Sequence, residues 1–125
     1  EAVEEVRGAP DPCMTSHFGY GPRQGYKRIV DAFDAHGVRA TFSTCGRAAE
    51  ATPWLIKDAV ARGHEISCHG WRWETHAGMD AKTERAIIAR THNTIADIAG
   101  IPPVGWHTRS ATSPSSCTRP SRCSE

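Results

Sequence analysis

The sequence has almost no surplus of charge of either sign. Fifteen lysines and arginines stand against 14 acids, so no broad field draws the chain to nucleic acid or to an anionic membrane, and a polyanionic substrate is not expected. No stretch approaches the roughly 18 apolar residues of a membrane-spanning helix. The first twenty residues lack a basic start leading into an apolar core, so nothing in them directs export and a cytoplasmic location is the expectation. The chain opens on Glu1 rather than Met, and further sequence is expected upstream. Cys13, Cys45, Cys68, Cys117 and Cys123 contain no CxxC pair. That odd, scattered set fits neither a zinc ribbon nor a compact disulfide scaffold. Cys45 and Cys68 lie in or beside apolar runs and read as small hydrophobes. What is present, 38% hydrophobic and 23% charged residues, is the composition of one globular domain with a modest core.

Periodicity divides the middle of the chain into alternating elements. Tyr26, Ile29, Val30 and Phe33 recur at helical spacing between Pro22 and His36, and Gly37 follows as a stop. Val38 to Ser43 is short, β-branched and aromatic, as a buried strand would be. Thr52 reads as an N-cap before Pro53, with Leu55, Ile56, Ala59 and Val60 as the apolar face and Gly63 as the end. His64 to Cys68 reads as a second strand. Asp80 then caps a third helix carrying Ile87, Thr91, Ile95 and Ile98 up to Gly100, with Pro102 beyond. Val104 to Thr108 would be a third strand. Helix, strand, helix, strand, helix, strand with short connections predicts an α/β fold with a parallel sheet.

The two ends depart from this pattern. Residues 1–20 carry little periodicity and read as an irregular segment. Residues 115–125, like the stretch just before them, are rich in Ser, Arg, Pro and Cys and nearly free of aliphatic side chains, a composition that buries no core. They are expected to be disordered or non-native, as an out-of-frame tail would be. A closed barrel of eight βα units needs about 250 residues, whereas three units leave open sheet edges. The visible chain is therefore expected to be incomplete at both ends.

Chemistry concentrates in the segment HEISCHGWRWETH, residues 64–76. His69 directly follows the second strand, where α/β folds gather catalytic groups, and histidine titrates near neutrality. Trp71 and Trp73 offer flat walls for a sugar or a planar ring, and Arg72 suits a carboxylate or carbonyl oxygen. Glu74 is a candidate proton carrier or orienter of His69. His107 ends the next expected strand and would share the rim with His69, while Arg109 is placed to stabilise an oxyanion. The competing reading makes one tryptophan core, Arg72 and Glu74 a solvated pair, and His107 and Arg109 ordinary loop residues. His17, His36, His64 and His92 have less support.

In this order, GVRATFS, a helix, ARGHEISCHGWRW and IAGIPPVGW resemble the NodB-homology polysaccharide deacetylases from about Tyr20 to Pro114. HGWRW followed by GWHTR and SATSP resembles their allantoinase-like branch, the PuuE type. The resemblance implies that residues 21–114 are part of a distorted (β/α) barrel. It also implies a metal held by an aspartate and two histidines in an HxxxH arrangement. Only part of that set carries over. His69 matches the first histidine, but Trp73 stands four residues later, His76 is too far along, and Asp11 lies in no matching Asp-Asp context. His107, Thr108, Arg109 and Ser110 replace the usual Arg-x-Pro-Tyr. No cofactor is therefore assigned, and zinc remains an alternative whose second histidine and aspartate motif are not present.

The expected function is hydrolysis of a non-peptide C–N bond, a cyclic amide such as a ureide. His69, Glu74 and His107 are the catalytic candidates, and Trp71, Arg72, Trp73, Trp106 and Arg109 the substrate-binding ones. One alternative is metal-dependent N-deacetylation of an acetamido sugar. Another, suggested by Trp71, Trp73 and Trp106, is carbohydrate binding without catalysis, or an inactive fragment. The expected partner is a small amide, ureide or acetamido-sugar substrate, with no nucleic acid and no membrane, and an oligomer is compatible with the sequence.

Overall fold

A helix earns a place in this fold by the narrow stripe it can bury. In the computed structural model, which describes residues 12–107 and Arg109, α2 (Tyr26–Ala35) buries Tyr26 and Val30. Ile29, expected in the same stripe, is 50% exposed. At about 100° per residue it sits roughly 60° round from Tyr26, at the stripe's edge.

Ahead of α2 the irregular segment expected for residues 1–20 is corrected in part. Pro12–Tyr20 form a helix, α1, and a π-helical turn, Gly21–Gly25, joins it to α2. Proline in the first turn is pre-set for a helix, and Arg23 Nε donates to the Gly19 carbonyl at 2.9 Å across the junction. Asp11, Thr108, Ser110 and the tail 115–125 lie outside the described residues, and with them the expectation of a non-native end. Among the described residues no helix is long and apolar enough to cross a membrane.

β1 (Thr41–Thr44) and β2 (Glu65–Cys68) pair in parallel, with Thr41 opposite Glu65 and Thr44 opposite Cys68. Between them run two helices. α4 (Pro53–Ala61) is the expected one and buries Ile56 and Ala59. α3 (Gly46–Ala51) was not legible, since six residues hold no full apolar period. Thr52 also departs from its reading. Its hydroxyl donates to the Ala48 carbonyl at 2.9 Å and closes α3, and no side-chain bond caps α4.

α5 (Ala81–Ala99) matches its reading at both ends. Asp80 accepts from the backbone N–H groups of Lys82 and Thr83, and Gly100 closes the helix at φ 74°, a conformation that costs glycine little. Thr91 and Ile95 are fully buried. The Thr91 hydroxyl is satisfied by the Ile87 carbonyl at 2.8 Å, which lets a polar residue sit in the core.

The third strand shrinks to one bridge, Trp106 beside Cys68. Cys68 N–H donates to Gly105 O and His107 N–H to Cys68 O, each at 2.8 Å. Pro102 and Pro103 cannot donate to a ladder, and Val104 is 82% exposed. The core joins Tyr26, Val30, Ala49, Ile56, Ala59, Ile66, Cys68 and Ile95. Each large aliphatic side chain buried there stabilises the fold by about 1.5–3 kcal/mol. Cys45 and Cys68 are buried, and burial pushes the Cys45 thiol pKa up.

At the end where β2 begins, charges knit the helices together. Arg62 donates to Asp58 at 2.8 Å, pairs with Asp34, and reaches Asp31 at 3.5 Å. The Tyr26 hydroxyl donates to Asp58 at 2.8 Å. That bond holds the Asp58 carboxyl below its ordinary range, while burial and the Asp58 contact push the Tyr26 phenol up.

Candidate active site

At the opposite end of the strands three backbone segments converge. His69 N–H donates to Thr44 O at 2.9 Å, and Gly46 N–H and Arg47 N–H donate to Gly70 O and Trp71 O, each at 3.0 Å. The start of α3 thus straps the chain leaving β2, and the Cys45 thiol adds a weak bond to His69 O at 3.4 Å. Gly46 is required by space. A Cβ there would lie 2.5 Å from the Trp71 ring, and no other residue allows that approach.

His69 and His107 sit side by side on this rim, ring centroids 6.4 Å apart and nearly perpendicular. His69 Nδ1 lies 3.0 Å from the His107 carbonyl oxygen. A carbonyl only accepts, so Nδ1 carries the hydrogen and the neutral ring presents a basic Nε2. Trp73 lies beside His69 at 6.3 Å, and the Arg109 guanidinium stands 4.6 Å from the Trp73 ring. Trp73 holds φ 63°, a left-handed conformation that costs a bulky residue on the order of 1–3 kcal/mol and is found most often at functional sites.

Glu74 keeps this strained turn in place. Its two carboxylate oxygens accept from the backbone N–H groups of Trp71, at 3.0 Å, and Arg72. Both oxygens face the loop, a geometry of bracing rather than of proton delivery to His69.

The remaining residues from the sequence reading separate into two places. Trp71 is only 8% exposed. Its ring lies against Gly46, and the Arg90 guanidinium stacks on it at 3.5 Å. With Arg72 and Glu74 it lines a groove of about 580 Å³ that also takes in Lys82 and Arg90 but neither His69 nor His107. Arg72 and Trp71 thus line this groove rather than the place where the two histidine rings meet. Trp106 lies under the rim, edge-on to His76 at 5.8 Å.

Of two residues that matter here, Glu84 was passed over in the sequence and His76 was weighed only as a metal ligand. His76 and Glu84 form a buried pair, Nδ1 to Oε1 3.1 Å, with side chains 2% and 1% exposed. The signal was available, since Glu84 falls seven residues before Thr91 and eleven before Ile95, on the stripe α5 buries. A charge on such a stripe calls for a buried partner.

Among the described residues no three His, Cys, Asp or Glu side chains stand together as ligands. Trp73 fills the place four residues after His69, where a second histidine would stand.

A family model described as Polysaccharide deacetylase matches residues 7–117. The chain is 29% identical over 99 residues to the Peptidoglycan deacetylase of Helicobacter pylori, covering 79% of this chain and 34% of that protein. It is 35% identical over 81 residues to the Chitooligosaccharide deacetylase of Sinorhizobium fredii, covering 64% and 35%. The crystal structure of PuuE allantoinase is similar with a TM-score of 0.79 and 33% identity, over 86% of this chain and 36% of that one. The chain spans about a third of the length of these curated relatives.

Proposed function

Given that the chain belongs to the polysaccharide deacetylase family, we propose that the protein hydrolyses a non-peptide C–N bond in a cyclic amide, a ureide being the best fit. The observation that carries this reading is Trp73. It stands, under the Arg109 guanidinium, where the resemblance calls for the second histidine of a metal site. The likeness to PuuE allantoinase supports the same reading.

In the proposed reaction His69 Nε2 takes a proton as water attacks the amide carbonyl, forming the C–O bond. The oxyanion that develops needs donors, and the Arg109 guanidinium, 4.6 Å from the Trp73 ring, is the candidate. When the C–N bond breaks, the proton on His69 passes to the departing nitrogen, so the ring returns to its starting state. Trp73 offers a flat wall to a planar ureide, and His107 holds His69 through its backbone carbonyl while its own ring faces the same rim. Glu74 acts as a positioning residue by keeping the Trp71–Trp73 turn in shape. Trp71, itself buried, supports that turn from within, and Arg72 lies in it.

Metal-dependent deacetylation of an acetamido sugar is the second reading, favoured by what the two curated relatives are named for. Incubating the full-length protein with a cyclic ureide and with an N-acetylated chitooligosaccharide, each with and without a chelator, separates them. The expected result is ureide turnover that the chelator leaves unchanged. Turnover of the acetamido sugar alone, abolished by chelator and restored by zinc, would overturn it.

A further inference from the structure

The reaction proposed above makes no use of the buried His76–Glu84 pair. The pair does, however, touch a path that ends on His69. The His76 ring meets the Trp106 indole edge-on, centroids 5.8 Å apart at 77°. Among the described residues Trp106 Nε1 is buried without a hydrogen-bond partner, so no polar contact from them fixes the indole. Its place is set by packing against His76 and the core and by its bridge to Cys68. The carbonyl of the very next residue, His107, lies 3.0 Å from His69 Nδ1.

We infer that His76 and Glu84 are positioning residues for His69. The pair fixes Trp106, Trp106 fixes the His107 carbonyl, and that carbonyl selects the tautomer with a bare Nε2. The inference rests on the reading of His69 as the base. Two physical points support it. First, a buried polar pair is a poor source of stability, because apolar residues of similar volume are often as good or better. A pair that joins the loop after His69 to α5 is better explained by the orientation it imposes. Second, the last link is sensitive. Moving the His107 carbonyl by about 1 Å would take the 3.0 Å contact out of hydrogen-bonding range, and the imidazole would divide between its tautomers.

The route through the ring can be separated from a simple tether between loop and helix. In full-length His76→Asn, the amide nitrogen still reaches Glu84 where Nδ1 did, but no ring is left against Trp106. Nitrogen-15 NMR of the His69 ring reads the tautomer, and steady-state kinetics on the ureide read its consequence. The expected result is a change from one Nδ1–H form to a mixture, with kcat down about 10- to 100-fold, as small misplacements near a reacting group cost, and KM within about twofold. A folded variant with unchanged His69 signals and unchanged kcat would overturn the proposal. Should His76→Asn not fold, His76→Leu with Glu84→Met removes the polar pair and the ring together, and the same two readouts apply with the same expected and contrary results. The tautomer measurement needs no substrate. A wrong substrate class would show as absent ureide turnover in the unmodified protein while the His69 signals still respond to His76.

Discussion

The two ends of the parallel strand pair are built from different materials. Where β2 begins, Arg62 gathers Asp58, Asp34 and Asp31, and Tyr26 adds a hydroxyl, so side-chain charges tie α2 to α4. Where β2 ends, the bonds run to and from the backbone. Glu74 accepts from two N–H groups, the His107 carbonyl faces His69, and the start of α3 straps the chain through the carbonyls of Gly70 and Trp71. One end ties side chains to each other and leaves the backbone relaxed. The other spends side chains on holding an unusual backbone, with Trp73 at φ 63°. In α/β folds the end where the strands finish is the one that carries function, and the difference follows that rule.

The comparison can be broken at either end. The largest effect short of removing His69 is expected from Glu74→Ala. Without the carboxylate, two N–H acceptors vanish and the Trp73 turn relaxes, so kcat/KM on the ureide should fall about 10- to 100-fold. Circular dichroism should show the fold retained. At the other end Arg62→Ala removes the centre of the ion-pair cluster. The melting temperature is expected to fall and the kinetics at a temperature where the variant is folded to stay as in the parent. Tyr26→Phe should cost about 1 kcal/mol in a denaturant titration, the worth of one hydrogen bond, again without kinetic effect.

The smallest effect is in the pH dependence of that last difference. The folded Asp58 carboxyl titrates below its ordinary 3.8, chiefly through the Tyr26 hydrogen bond. A carboxylate depressed in the folded state contributes stability above its unfolded pKa and loses it as pH falls through the folded value. The stability gap between the parent and Tyr26→Phe should therefore be constant near neutrality and narrow below about pH 4, read from melts across that range.

How far the sequence reached differs between the same two ends. α2, α4, α5 and both strands were legible because each carries a period, a cap or a glycine stop that acts locally. The apolar period could not say which residue at a stripe's edge stays wet, as Ile29 does. Nor could it find α3, whose six residues are held by carbonyls from a distant loop. At the site, position alone made His69 and His107 neighbours, since parallel strands end on one rim. The use of Glu74 as a brace, and the pairing of His76 with Glu84, depend on how the loop folds back, which no local pattern records. The third strand was overread because Val104–Thr108 has a strand's composition while the prolines before it deny the ladder its donors.

The most direct test sets His69→Ala beside Arg62→Ala in the full-length protein, with kcat/KM on a cyclic ureide and a thermal melt measured on both. The account predicts at least a 100-fold loss for His69→Ala, the scale of a lost general base, with an unchanged melt, and the opposite pattern for Arg62→Ala. Undiminished turnover in a folded His69→Ala variant would contradict it.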